Sequence, residues 1–307
     1  MNTAFRAALT AALALPLAAP AAASSLMPVS QFGQQLHGQG PSPKSVFQKL
    51  HAHHNSKKAG HFAFPYGIGL DGAGNLYVGN IDSEKIVIVN PDYKVLPNTI
   101  TSGISTPVSV ATDTYGDVYV GNEGNNTVTK YDSSLSLVQT ITANASAPYS
   151  IAVDQAQDLF LITGSGLAID DPYGNSISSN IYSGTLYSVA IGGPNVYTFY
   201  NDLAAFGNTS VAVRQATLQY VDGPLSSAVP AGSACSATQS LCWYDDTQYN
   251  TLYEATIPGT VISLGLSYTP VGLAYDPVRN RIYVADPFNN AIHVYNAATL
   301  AAEKTII

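Results

Sequence analysis

Short apolar runs alternate with polar, turn-forming groups along most of the chain. Between Pro107 and Ile141, four apolar runs are separated by groups rich in Asp, Gly, Asn and Ser. Runs of this length with such groups between them are typical of consecutive antiparallel β-strands. The stretch therefore predicts a four-stranded antiparallel meander.

The same pattern recurs at a nearly constant spacing. Clear copies begin at Pro65, Pro107, Pro148 and Pro270, and the first three are 42 and 41 residues apart. The 122 residues between Pro148 and Pro270 correspond to three periods, so two altered copies must fill the gap. The chain is therefore a repeat protein with six expected units.

The two altered copies are expected between the third and the last clear one. The first spans 186–221, with its inner strands in 186–200 and its outer strand pair in VAVRQATLQYV, residues 211–221. The second spans 226–266, and its last three strands are expected in LCWYD, TLYEATI and TVISLGL. These copies are where the chain departs most from its own repeat.

Several predicted strands are apolar on both faces. In KIVIV, Ile86 and Ile88 point to one side and Val87 to the other, so neither face meets water. Four-stranded units of about 40 residues that are buried on both faces fit a radial arrangement in which each unit covers its neighbours. We therefore predict an all-β fold, a six-bladed β-propeller of four-stranded antiparallel blades over residues 65–307.

The N-terminal residues have the pattern of an export signal. Arg6 precedes an apolar run, and small residues directly before Ser24 provide a cleavage site. Pro16 and Pro20 interrupt the apolar run, which disfavours a membrane anchor. We expect a signal peptide at 1–23, no transmembrane segment after its removal, and a periplasmic, extracellular or cell-surface location.

Charge and cysteine usage fit an exported protein. The chain has 12 Lys and Arg against 20 Asp and Glu, a net charge of −8, which disfavours nucleic acid as a partner. Its two cysteines, Cys235 and Cys242, lie seven residues apart, and in an oxidising compartment they predict a local disulfide. A metal or redox pair is the alternative, but the CxxC spacing is missing.

Residues 24–64 have no apolar period and are rich in polar residues near their start, which predicts a flexible, His-containing N-terminal segment. Within it, residues 45–50 are expected to form either a short helical turn or an accessory strand. In an extended chain His51 and His53 share a face, and with His54 they form a weak candidate metal site. A closed structural zinc site requires four well-placed ligands. A polar linker is therefore the favoured interpretation.

The blade pattern resembles the NHL and YVTN types of β-propeller repeat. The sequence YVGN occurs at 77–80 and 119–122, and YVAD occurs at 283–286. This broad group includes propellers of the SMP-30 and gluconolactonase type, lyases and binding modules. The resemblance therefore implies the fold and leaves the function open.

The lactonase-like members of that group suggest the alternative function. They hold a divalent cation with an inner-strand Glu and with Asn and Asp, which implies a metal-dependent lactonase or hydrolase using Ca²⁺ or Zn²⁺. None of the four glutamates of this chain lies on a clear inner strand: Glu84, Glu123, Glu254 and Glu303. Lyase-like relatives use a funnel histidine, whereas His293 is predicted on a third strand.

The leading expectation is an exported, non-enzymatic module that binds a small molecule, a glycan or a protein. The starts of the inner strands offer aromatic rings and hydroxyls, and polar residues recur before the hairpins between second and third strands. The candidate ligand-binding residues are Tyr66, Asn80, Asn122, Glu123, Tyr149 and Asp286. The alternative is that Asn and Asp stabilise their own turns.

Two adjacent acidic pairs lie in the irregular part of the repeat. Asp170 and Asp171 form one, and Asp245 and Asp246 form the other. Neighbouring carboxylates can share a cation or a proton, but adjacent residues of a strand point to opposite faces. We expect solvated loop charges at both places.

Overall fold

A computed structural model of the protein describes residues 42–52, 60–142, 144–179, 186–193, 195–200, 203–208, 219–221, 231–238, 241–256 and 261–307. Over these residues one helix, α1 (Pro43–Ala52), precedes 24 β-strands. Each sheet consists of four consecutive antiparallel strands in the order in which they occur along the chain.

Five sheets are described through all four strands. The first contains β1 (Pro65–Leu70), β2 (Leu76–Asn80), β3 (Lys85–Val89) and β4 (Val95–Ile100). The second contains β5 (Pro107–Thr112), β6 (Val118–Asn122), β7 (Thr127–Tyr131) and β8 (Leu137–Ile141), and the third β9 (Ser150–Val153), β10 (Leu159–Thr163), β11 (Gly166–Asp170) and β12 (Ser176–Ser178). The fifth contains β17 (Ser233–Cys235), β18 (Leu241–Asp246), β19 (Thr251–Thr256) and β20 (Val261–Gly265). The last contains β21 (Val271–Asp276), β22 (Arg281–Asp286), β23 (Ala291–Asn296) and β24 (Ala302–Ile306).

The fourth sheet is described less fully. It pairs β13 (Leu186–Gly192), β14 (Asn195–Tyr200), β15 (Leu203–Asn208) and β16 (Gln219–Val221), and side chains are described only on its two inner strands. The prediction that residues 211–221 supply its outer strand pair is wrong for the third strand. Tyr200 pairs directly with Leu203, so β15 follows β14 after two residues. The sequence LAAFGN has little β-branched character and gave no strand signal.

Small residues allow the inner strands of neighbouring sheets to approach closely. Around the molecule β1 contacts β5, and the contacts continue through β9, β13, β17 and β21 back to β1. A Cβ on Gly67 would lie only 2.6 Å from Ser109 Cα in the next sheet. Ser109 Oγ in turn donates a hydrogen bond to Pro148 O at 3.1 Å. This circular arrangement confirms the predicted all-β propeller, and the chain is a β-propeller repeat protein.

The hydrophobic core lies between the sheets rather than within one of them. One cluster joins Tyr77 and Ile86 of the first sheet to Val110 and Val120 of the second, and similar clusters lie between later pairs. Both faces of a strand such as β3 are therefore covered by protein. This explains why the strand sequences are apolar at successive positions.

The first and last sheets meet directly. The main-chain N–H of Phe64 donates to Asn290 Oδ1 in the last sheet at 2.8 Å, and Phe64 O accepts from Ile81 N in the first at 3.2 Å. Over its described part, the segment before Pro65 adds no strand to either sheet. The ring therefore closes by packing of the first sheet on the last, with Phe64 between them.

The segment that the sequence predicts to be flexible contains α1. Within this helix Phe47 is buried, in the same hydrophobic cluster as Phe64 and Tyr66. One buried ring on a short helix gives little apolar periodicity, which is why the sequence left a helical turn and an accessory strand as alternatives at 45–50. None of the helices in the described ranges is long and apolar enough to cross a membrane.

Candidate functional site

The propeller axis has two different ends. The last residues of the inner strands surround an open cavity, which we call the open end. Residues at or just before the starts of several inner strands lie under α1, which we call the helix-covered end. The sequence places the candidate ligand site at the starts of the inner strands. The structure covers that end with a helix and leaves the larger cavity at the other.

The cavity at the open end has a volume of about 430 Å³ and is lined by all six inner strands. Half-buried apolar side chains contribute most of its wall, among them Leu70, Val153, Ile191 and Tyr275. Thr112 adds a hydroxyl, which donates to Leu70 O at 2.5 Å and so ties two neighbouring inner strands together. Cavities of roughly 300–1,000 Å³ with mainly apolar walls are typical small-molecule sites.

Four carboxylates surround this mouth, and each stabilises a hairpin. Asp71 Oδ1 accepts from the main-chain N–H groups of Ala73 and Asn75, at 3.0 and 2.8 Å. Asp113, Asp154 and Asp276 accept main-chain bonds at the corresponding places. The second oxygens of three of them accept from side chains as well: Asp71 from Asn75, Asp113 from Gln157 and Asp276 from Arg279. These carboxylates fix the shape of the rim.

At the helix-covered end, tyrosine rings close the axis. Tyr66, Tyr149 and Tyr187 are buried and surround a cavity of only about 10 Å³, together with Ala231 and with Pro43 and Val46 of α1. The ring of Phe47 packs edge-on against Tyr66, with the centroids 5.6 Å apart. Tyr149 Oη has no hydrogen-bond partner among the residues that the structure describes.

Asp245 is a buried carboxylate that the sequence analysis misread. Asp245, Asp246 and Asp170 are all fully buried, so the prediction of solvated loop charges is wrong for these three residues. Asp245 Oδ1 accepts from Ala231 N at 2.7 Å and from Gly232 N at 3.0 Å. Burial raises the pKa of Asp245 well above its ordinary value, because the charged form loses its hydration. The signal that could have revealed it is the alignment of WYDD with YVGN, which places an Asp where the repeat has Gly.

The recurring Asn and Asp residues before the hairpins are buried and structural in their contacts. Asn80 Oδ1 accepts from Ala63 N, and Asn122 Oδ1 accepts from Ser105 N, both at 3.0 Å. Asp286 accepts from Asn289 N at 3.1 Å. Asn80 and Asn122 thus fasten the segment before an inner strand to the hairpin of the same blade. A direct role of these three residues in ligand binding stays a prediction.

Glu123 lies near Tyr149. Burial, and then the negative charge of Glu123, raise the pKa of Tyr149. Burial, and then the charge of Asp245, raise the pKa of Tyr66. Three candidate residues from the sequence, Tyr66, Tyr149 and Glu123, therefore belong to the helix-covered end. Asp245 lies at the same end, next to Ala231.

The histidines do not form a metal centre in the described part of the chain. His51 lies on α1, stacks on Phe47 and has Nε2 3.5 Å from Asp82 Oδ1, while His53 and His54 lie outside the described residues. No group of three His, Cys, Asp or Glu side chains that could hold a metal ion occurs among the residues described. A Ca²⁺ or Zn²⁺ cofactor therefore remains an expectation from the sequence.

The predicted disulfide is confirmed. Cys235 and Cys242 face each other on the paired strands β17 and β18, with Cα atoms 4.1 Å apart. The bond lies beside the open cavity, since Cys235 belongs to its lining. It closes a short loop in the blade that departs most from the repeat.

Fold and site together define a β-propeller with an axial cavity. No protein-family model and no curated protein matches the chain. Among solved structures, a streptogramin B lyase is similar, with a TM-score of 0.59 and 13% identity over 80% of this chain and 83% of that one. Virginiamycin B lyase from Staphylococcus aureus gives a TM-score of 0.56 at 14% identity, over 78% and 83% of the two chains. A catalytically inactive variant of that lyase with quinupristin gives 0.55 at 15%, with the same coverage. At these identities the likeness concerns the fold.

Proposed function

We propose that this protein is an exported, six-bladed propeller that binds a small, largely apolar molecule in the cavity at its open end. One observation carries the proposal: the inner strands leave a cavity of about 430 Å³ with mainly apolar walls on the propeller axis. The carboxylates around it accept bonds from their own hairpins, so the rim is rigid before any ligand arrives. A preformed cavity of this kind lowers the entropic cost of binding.

Six blades are supported by the order of contacts around the axis. The inner strand β13 of the fourth sheet lies between β9 and β17, as every other inner strand lies between two neighbours. The repeat period also leaves room for one unit at 186–221. Export is supported by the N-terminal signal pattern and by the disulfide, since disulfides persist mainly in oxidising compartments.

The test is to fill the cavity and measure binding. Val153 lines the cavity on β9, and Val153→Trp adds a large ring there. Val138 is exposed on the outer strand β8, so Val138→Trp makes the same chemical change away from the axis. A mixture of small apolar and amphipathic compounds is screened against the mature protein by ligand-detected NMR. Compounds that bind through the cavity are expected to lose binding to Val153→Trp and keep it with Val138→Trp.

The result that contradicts the proposal is equal binding to both variants, or no binding to the unaltered protein. Because the similar solved structures are lyases, the same samples are incubated with a streptogramin B and with a simple sugar lactone. Conversion of either compound by the unaltered protein and by Val138→Trp, but not by Val153→Trp, would show that the protein is an enzyme acting at this cavity and not a binding module.

A further inference from the structure

Asp245 occupies a position at which three other blades have a residue with a small side chain or none. Asp246 is the last residue of the second strand before the hairpin to the third strand, and Asp245 directly precedes it. In three other blades the residue at the position of Asp245 is Gly79, Gly121 or Ala285. A Cβ on Gly79 would lie 2.7 Å from a main-chain oxygen of the next blade. A carboxylate at this place is therefore a specific departure of the fifth blade from the repeat.

Only one oxygen of this carboxylate is used. Asp245 Oδ1 accepts from Ala231 N and Gly232 N, whereas Oδ2 has no hydrogen-bond partner in the described parts of the chain. The side chain is fully buried. A buried carboxylate with an uncommitted oxygen is costly unless a proton or a cation joins it.

Ala231 connects this carboxylate to the tyrosine rings of the helix-covered end. Ala231, whose N–H binds Asp245, lines the small cavity together with Tyr66, Tyr149 and Tyr187. Tyr149 is itself more than nine-tenths buried, and its hydroxyl has no hydrogen-bond partner within the described ranges. After burial, the negative charge of Asp245 is the next cause that raises the pKa of Tyr66. The charge of Glu123 acts in the same way on the pKa of Tyr149.

We propose that the helix-covered end is a binding site for an organic ammonium group. Asp245 supplies the countercharge, and the rings of Tyr66, Tyr149 and Tyr187 supply the walls. Tyrosine faces attract cations through the ring quadrupole, and aromatic cages bind ammonium groups in this way. Calcium, in contrast, takes 6–8 oxygen ligands, which an aromatic-walled site with one carboxylate does not provide.

The helix α1 closes this site. Pro43 and Val46 form the outer wall of the cavity, whose volume of about 10 Å³ holds no more than one water molecule. An organic cation therefore enters only when α1 moves away. Phe47 is the one fully buried residue of α1, and Val46 and Leu50 are only partly buried against the propeller, so the helix is held by a small apolar contact.

The test uses calorimetric titration of the mature protein with phenethylammonium and with its neutral counterpart 2-phenylethanol. The ammonium compound is expected to bind, and the neutral alcohol is expected to bind much more weakly. Asp245→Asn keeps the oxygen that accepts from Ala231 and removes the charge, so it should lower the affinity for the ammonium compound roughly tenfold or more. Asp246→Asn is the matched control, because it removes an adjacent buried charge that serves a hairpin.

Two further measurements separate the site from the helix that covers it. Phe47→Ala loosens α1 and should tighten apparent binding of the ammonium compound several-fold, because the open form becomes more populated. If Asp245→Asn does not fold, Tyr149→Leu, which removes one ring of the wall, should weaken binding of the ammonium compound. Equal affinity for the ammonium compound and the alcohol, or an equal loss in both Asp variants, would overturn the proposal. Calcium binding that depends on Asp245 in place of ammonium binding would also overturn it.

Discussion

Replacing Asn122 with alanine is expected to destabilise the protein by about 2–4 kcal/mol. The amide is fully buried and connects three parts of its blade. Its Oδ1 accepts from Ser105 N, and its Nδ2 donates to Val120 O at 3.2 Å and to Thr129 Oγ1 at 3.0 Å. Each lost bond costs about 1 kcal/mol, and the partners left buried without a bond add to that cost.

A neighbouring asparagine provides the control for this prediction. Asn125 lies exposed in the same hairpin and accepts a single bond from Thr127 Oγ1, so Asn125→Ala should change stability by less than about 0.5 kcal/mol. Urea unfolding followed by the fluorescence of the single tryptophan, Trp243, compares the two variants. If Asn122→Ala unfolds at the same urea concentration as Asn125→Ala, the structural role assigned to the buried amide is wrong.

Three further outcomes are expected. Replacing Cys235 and Cys242 with serine should cost about 2.5 kcal/mol, as estimated for a loop this short, and unfolding that is unchanged by the replacement would contradict this. Gly67→Ala should destabilise the protein by more than about 2 kcal/mol in thermal melts, because its Cβ would meet main-chain atoms of the next blade. Gly72→Ala, with open space around it, should be neutral or slightly stabilising in the same assay. Burial raises the pKa of Asp170 from 3.8 to about 6, so folding favours the protonated carboxyl. The stability that this contributes is present below about pH 4 and is lost as the pH rises to about 6. Asp170→Asn should therefore flatten that part of a curve of unfolding free energy against pH.

The repeat could be predicted from the sequence because its signals are local. The turn residues and the strands of YVGN type lie close together in the chain, and the inner strands begin where the sequence places them at Pro65 and Pro107. The third strand of the fourth sheet, Leu203–Asn208, could not be located in the same way, since its residues have low β propensity.

The helix-covered end was harder to predict, because it depends on contacts between distant segments. Nothing in the residues around Phe47 indicates that this ring packs on Tyr66, and nothing in WYDD alone shows that Asp245 is buried. The sequence does show that Tyr66 and Tyr149 occupy the same position in their blades. It is the helix above them, and the carboxylate beside them, that required the structure.

The junction at Phe64 has a consequence for the order of folding. Neighbouring inner strands are joined by hydrogen bonds between residues 39 to 42 positions apart, whereas the bond from Phe64 to Asn290 spans 226 positions. Loop closure over the longer distance costs roughly 1.5 kcal/mol more in chain entropy. The blades should therefore assemble one after another in an open arc, and the contact between the first and the last should form late and open first. The ring therefore has one junction that differs from the others, and Phe64, in the segment before the first strand, holds it closed.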